Sequence, residues 1–183
     1  PDINGDGKAD LLIRYRTSSK YHFKVRFSNG SSFEPETAWA VHTIPYTYIP
    51  ETTAYTPDVN GDGKPDLITF YMSSPGNKRV DLRISDGSIC STDPVWSFTD
   101  DKMIFGGTPD LNGDGKADLL LQYADFKCWA FLSNGSTFVR HQELDINAPP
   151  DYVTILALHD TNSDGRDDLI LKKTYLPEIN RVY

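Results

Sequence analysis

The sequence predicts an all-β fold made of repeated units of four short antiparallel strands. Three observations carry this. A ten-residue segment recurs four times, as Asp2–Leu11, Asp58–Leu67, Asp110–Leu119 and Asp160–Leu169, with starts 56, 52 and 50 residues apart. Each copy is followed by a short apolar run, and in the first three units an alternating strand and an Asn-Gly or Asp-Gly turn come next. No stretch of useful length shows helical periodicity. A period of about 50 residues with strand-like pieces in each is the mark of a repeat architecture.

The elements follow in order within each unit. A β-like segment precedes the repeated loop at Thr53–Thr56, Met103–Gly107 and Tyr152–Leu158. After the loop comes a run apolar in both phases (Leu11–Ile13, Leu67–Met72, Leu119–Leu121, Leu169–Leu171), which predicts a strand covered on both faces. A turn is expected at Thr17–Lys20, Ser73–Asn77 and Ala124–Asp125. The third strand alternates, with Tyr21, Phe23, Val25 and Phe27 against His22, Lys24 and Arg26, and with Val80, Leu82 and Ile84 against Asp81 and Arg83. Asp81 and Arg83 are thereby expected on an exposed face. Asn29-Gly30, Asp86-Gly87 and Asn134-Gly135 predict type I′ hairpin turns. A fourth, weaker strand carries Trp39 and Trp96, expected in the core between units, with Leu144 at the equivalent place in the third unit.

Four antiparallel strands per unit predict β-propeller blades, at roughly 1–45, 46–101, 102–150 and 151–183. A β-sandwich explains short strands but not the strict repetition. The first unit lacks a strand before its loop, and the last stops at Asn180–Tyr183, inside its third strand. About three and a half blades are therefore expected, as part of a larger propeller.

Each loop reads D-x-N-x-D-G-x-x-D-L, and this pattern predicts a hard-cation site. Oxygens at loop positions 1, 3, 5 and 9, with the main-chain carbonyl of position 7, converge if the chain turns sharply at the position-6 Gly. With only oxygen donors and three carboxylates per loop, calcium is preferred to zinc, copper or magnesium. An EF-hand needs a bidentate Glu at position 12 and flanking helices. That position holds Ile13, Thr69, Leu121 and Leu171 inside β-like runs, which excludes it. The competing reading is four ion-free hairpin turns; four loops with Asp at the same three offsets weigh against it. The fourth loop departs most, with Ser163 in place of Gly and the additional Asp167.

The formal net charge is −8. The loops hold three Asp each, twelve of 26 acidic residues, and four Ca²⁺ would add +8. The acidity is thus explained as site chemistry, and the chain has no basic stripe of the kind that binds nucleic acid. No apolar run is long enough for a transmembrane helix, so no membrane insertion is expected. Cys90 and Cys128 do not form a disulfide framework. By repeat position they match Phe33 and Phe138, and Phe23 and Val80, and are expected as small buried apolar residues. Weak calcium sites suit the calcium level outside cells, which favours an extracellular or cell-surface location.

These loops, with Phe105-Gly106-Gly107 ahead of one of them, resemble FG-GAP repeats, the blades of integrin α-subunit propellers. The same repeat occurs in bacterial toxin-complex B-subunits and fungal propeller lectins. The resemblance covers essentially the whole chain, although the Phe-Gly-Gly element is matched in one unit only. It implies up to four Ca²⁺, each between the first and second strands of a blade. The implied ligands are Asp2, Asn4, Asp6, Lys8 and Asp10; Asp58, Asn60, Asp62, Lys64 and Asp66; Asp110, Asn112, Asp114, Lys116 and Asp118; and Asp160, Asn162, Asp164, Arg166 and Asp168. Lys and Arg would give main-chain carbonyls only.

The expected function is non-enzymatic recognition or adhesion, with a protein or glycan as partner. Trp129 and Phe131 fall on the phase of Lys24 and Asp81 and are candidates for ligand contact; the competing reading is that they pack against a neighbouring blade. A structural shell in a large secreted assembly is the alternative. Catalysis is disfavoured, because the chain shows no nucleophile elbow and no metal-binding His cluster, and the loop Asp residues, which as acid pairs could do glycoside chemistry, are already explained as ligands. Asn29 and Asn134 are also N-x-Ser sequons. Their recurrence at one turn is explained first by turn geometry.

Overall fold

A computed structural model of the chain describes residues 1–17, 20–43, 53–123, 127–145 and 152–174. The described residues contain strands and no helix, arranged as four antiparallel sheets. The first has three strands, β1 (Leu11–Arg16), β2 (Lys20–Arg26) and β3 (Thr37–Thr43). The second has four, β4 (Thr53–Tyr55), β5 (Leu67–Ser74), β6 (Asn77–Arg83) and β7 (Trp96–Asp100). The third also has four, β8 (Met103–Gly107), β9 (Leu119–Tyr123), β10 (Lys127–Ser133) and β11 (Phe138–Asp145). The fourth pairs β12 (Tyr152–His159) with β13 (Asp168–Thr174). Strand order within each sheet follows chain order, as in a meander, so every sheet is a propeller-type blade. The turn expected at Ala124–Asp125, the centre of that at Thr17–Lys20 and the strand end at Asn180–Tyr183 lie outside the described residues.

Two apolar clusters pack the first three sheets against one another. The first joins Phe23, Val25 and Trp39 of sheet 1 to Leu67 and Cys90 of the second unit. The second joins Ile68, Val80 and Leu82 of sheet 2 to Met103, Leu119, Leu121, Phe131 and Phe138 of the third unit. Leu67 and Ile68 are neighbours on one strand and point to opposite faces, so sheet 2 is covered on both sides. Trp39 is fully buried and donates its indole N–H to Ser85 Oγ of the next unit at 3.2 Å. Trp96 meets Phe131 and Phe138 edge-on, with centroids 6.2 and 5.1 Å away. Both tryptophans thus lie between blades, as expected. Cys90 and Cys128 are free and buried, also as expected.

Coverage on both faces explains where simple alternation misleads. On β6, Asp81 and Arg83 are buried, not exposed, because the face they share with Leu67, Thr69 and Tyr71 lies against sheet 1. On β2, whose polar face has no neighbouring sheet among the described residues, the alternation holds. The reverse correction applies to β1 and β13. Leu11 and Ile170 remain 41% and 36% exposed, since their sheets are covered on at most one side among the described residues.

The Asn-Gly and Asp-Gly turns also differ from expectation. A type I′ turn needs positive φ at both central residues. Here Gly30, Gly87 and Gly135 are positive, at 93°, 91° and 89°, while Asn29, Asp86 and Asn134 are not. The turns are four-residue loops closed by Ser28↔Phe33, Ser85↔Cys90 and Ser133↔Phe138 pairing. Within each, the Asn or Asp side chain accepts the N–H groups two and three residues on, as Asn29 Oδ1 does from Ser31 and Ser32 at 3.0 and 2.9 Å. These bonds, led by the one from the Ser88 hydroxyl, hold the Asp86 carboxyl down to about 2.

Gly106 and Gly107 sit at a bulge opposite Leu120. Gly107 has φ 144°, and a Cβ there would collide with Leu158 Cδ1 of the next unit. The two glycines therefore allow the third and fourth blades to approach.

Candidate functional site

The acidic loops join the first and second strands of their blades at β4–β5, β8–β9 and β12–β13, and the first loop precedes β1. Their side chains do distinct jobs according to loop position. At position 1, Asp2 Oδ1 accepts the N–H groups of Gly5 and Asp6 at 2.8 and 3.1 Å, and Oδ2 accepts that of Gly7 at 2.7 Å. Asp58 and Asp110 repeat this set. At position 3, the Asn side-chain oxygen accepts the N–H of position 5 in all four loops. The position-5 carboxylate in turn accepts the N–H of position 7.

The position-9 carboxylate faces inward. Asp10 Oδ2 accepts from Ile3 N–H and Oδ1 from Ser28 N–H, both at 2.8 Å. Asp66 takes Val59 and Ser85 at 2.9 and 2.8 Å, and Asp118 takes Leu111 and Ser133 at 2.9 and 2.7 Å. One carboxylate thus closes its own loop and ties it to the Ser that opens the turn between third and fourth strands. Burial pushes the Asp66 carboxyl up to about 6 despite these N–H donors, and raises that of Asp118 in the same way. Position 2 is a plug: Ile3 and Val59 are fully buried in the two clusters. Sequence reasoning missed both roles. The signals were present in the apolar residue at position 2 in three loops and in the Ser repeated at 28, 85 and 133.

Neighbouring loops touch. Ala117 N–H donates to the Asp58 carbonyl, and Asp167 N–H to the Asp110 carbonyl, both at 2.7 Å. Asp167 also accepts the Asp110 N–H at 2.8 Å, so the extra Asp of the fourth loop clamps it to the third. The equivalent residue of the second loop is Pro65, which has no N–H to give. The side chains of Lys64, Lys116 and Arg166 lie against Gly5, Gly61 and Gly113 of the preceding loop. A cleft of about 420 Å³ beside the second and third loops is lined by Tyr55, Asp58, Asp110, Lys116 and Asp167.

Lys8 and Lys116 place their ammonium groups 2.9 and 3.0 Å from Asp6 and Asp114. The Lys8 bond is the main reason the Asp6 carboxyl titrates below its usual range. Lys64 instead donates to the Asp86 carbonyl at 2.9 Å. The donor chemistry suits a hard cation, being oxygen only with three carboxylates per loop. The arrangement, however, is that of loops closed on their own N–H groups. Among the described residues, no group of three or more Asp, Glu, His or Cys side chains is gathered to hold a metal. In the fourth loop Ser163 takes φ 62°, the left-handed conformation that Gly5, Gly61 and Gly113 supply elsewhere.

Of the two aromatic candidates, Phe131 is corrected. It is 3% exposed, and Phe98 packs on it at 5.3 Å, because its face of β10 meets sheet 2. A ligand cannot reach it there. Trp129 is half-buried, and the Arg140 guanidinium lies 3.3 Å from its ring centroid.

Antiparallel meanders of two to four described strands, with a like acidic loop at one end of each, define a blade-type repeat protein. The chain belongs to the FG-GAP-like repeat family, whose pattern matches residues 2–69 and 110–171. It is 25% identical over 132 residues to a T-cell immunomodulatory protein homolog of Plasmodium yoelii yoelii, an alignment covering 66% of this chain and 19% of the relative. The chain therefore spans about a fifth of that relative's length. No solved structure gave a significant match.

Proposed function

We propose that the chain is a non-catalytic recognition module of an extracellular or surface protein, its blades braced by calcium in the acidic loops. The observation that carries this reading is the chain of loop-to-loop contacts at one end of the blades, in a chain of the FG-GAP-like family. Anything that stiffens the loops stiffens the surface they form. The name of the Plasmodium relative, an immunomodulatory protein homolog, fits a partner-binding role.

Calcium would be held by the oxygens of loop positions 1, 3, 5 and 9 and the position-7 carbonyl. In the first and third loops, it would displace a Lys ammonium from the position-5 carboxylate. The ion would supply charge neutralisation and cross-linking, and the partner, a protein or a glycan, would bind the loop surface and adjoining strands. Screening the chain on glycan and protein arrays tests this. A ligand whose binding falls in EDTA, with hydrolase and lyase panels blank, is expected. Turnover of a substrate by this chain, abolished by a single substitution outside the loops, would overturn it.

A further inference from the structure

The face of sheet 2 turned toward sheet 1 buries polar nitrogens that the loops do not explain. Asp81 is 1% exposed and fully engaged. Oδ2 accepts the Tyr71 hydroxyl at 2.8 Å, while Oδ1 accepts Arg79 Nε and Ser97 Oγ, both at 2.6 Å. Arg79 thus has its counter-ion. Arg83, four residues on, makes no ion pair at contact distance among the described residues, although the Asp81 and Asp93 carboxylates act on it through space. It is 3% exposed, and its buried Nε and Nη1 lack a hydrogen-bond partner among the described residues. Both nitrogens of His42, 1% exposed, are likewise unpartnered among those residues. Arg83 and His42 line one cavity of about 250 Å³ between β3 and β6, together with the Arg79–Asp81 pair, and the exposed Val41, Thr92 and Asp93 stand at its edge.

A buried guanidinium with two nitrogens lacking an acceptor is costly, and a planar oxyanion is the group that satisfies it in a fork. From this we propose that the cavity is an anion-binding site, with Arg83 as its principal donor and His42 beside it. The volume is below the usual range for drug-sized ligands. The site therefore takes a small oxyanion, or one carboxylate or sulfate group projecting from a larger ligand. It stands apart from the calcium loops and does not depend on the proposed recognition role.

The test is an NMR titration of the whole chain with sodium acetate and, separately, sodium sulfate, with ionic strength held constant by NaCl. Saturable shifts of the Arg83 Nε, His42 and Tyr71 ring signals are expected. In Arg83→Met, which keeps the side chain's bulk, affinity should fall roughly tenfold or more, the size of a lost charge-assisted hydrogen bond. Val41 is 40% exposed at the mouth, so Val41→Trp gives a second variant that blocks entry while leaving Arg83 in place. It should lose the same shifts. Saturation by acetate but not sulfate assigns the site to carboxylates, and the reverse assigns it to sulfate. Absence of saturable shifts with both anions would overturn the proposal, as would shifts unchanged in both variants. It would equally be overturned if Asp93→Asn alone moved the Arg83 Nε signal in anion-free buffer, because Asp93 would then be its internal partner.

Discussion

Replacing Asp10 by Ala separates the structural role of the loops from any role in holding an ion. Asp10 is 7% exposed and accepts N–H groups from Ile3 and Ser28, both at 2.8 Å. Ile3 is fully buried. Removing the carboxylate strands both donors, and an unsatisfied buried donor costs about 1–3 kcal/mol. A loss of about 2–4 kcal/mol is expected even in EDTA. Asp6, by contrast, is exposed and pairs with Lys8 at the surface. Asp6→Ala should cost under about 1 kcal/mol in EDTA, although both variants should weaken calcium binding at the first loop. Urea unfolding at pH 7 in EDTA, followed by tryptophan fluorescence, measures the difference. Buried Trp39, which packs in the same cluster as Ile3, is a reporter. Equal losses in the two variants, or a loss below about 0.5 kcal/mol for Asp10→Ala, would refute the inward role of position 9.

Three further outcomes are expected. Asp81→Ala should destabilise by about 3–5 kcal/mol in chemical denaturation, since it leaves the Arg79 cation, the Tyr71 hydroxyl and Ser97 without their shared acceptor. Ser163→Gly should stabilise by about 1 kcal/mol in the same assay, by relieving a non-glycine residue at φ 62°. Burial, with Arg83 nearby, depresses His42 to about 4 from an ordinary value of 6.5. The unfolded chain therefore binds the extra proton between pH 6.5 and 4. Stability from this group is full above pH 6.5 and is lost as pH falls through that window, by up to about 3 kcal/mol. The raised Asp66 carboxyl acts in the opposite sense near pH 4–6. The His42 contribution is therefore read as the difference between wild type and His42→Phe across pH 4–7, and a flat difference would refute it.

Much of the fold was legible because the chain repeats itself. The strands before and after the loops, the inter-blade tryptophans and the buried cysteines all followed from aligning one unit with the next. Burial on β6 did not. Val80 and Leu82 against Asp81 and Arg83 reads as a half-exposed strand, and only the packing of sheet 1 on that face shows the polar pair to be interior. Phe131 as a ligand contact was misplaced by the same reasoning, and its competing reading, packing against the neighbouring blade, holds. The turns were misread because Asn-Gly marks a reversal without fixing its length; the Ser28↔Phe33 bridge makes it four residues. At the loops, spacing picked out the polar positions. It could not tell the inward-facing carboxylates of Asp10, Asp66 and Asp118 from the outward ones, since that division depends on the Ser N–H brought in from another strand.

Thermal unfolding of the chain in EDTA, in MgCl₂ and in CaCl₂ tests most directly the proposal that calcium braces the blades. Binding to the native state adds RT ln(1 + [L]/Kd) per site, about 2.7 kcal/mol at a hundred times Kd. Tm should rise with CaCl₂ in a saturable manner and return with EDTA, with an equal concentration of MgCl₂ doing less and Asp62→Ala reducing the rise. The same Tm in EDTA and in saturating CaCl₂ would contradict calcium bracing and leave the loops as closures made by their own hydrogen bonds.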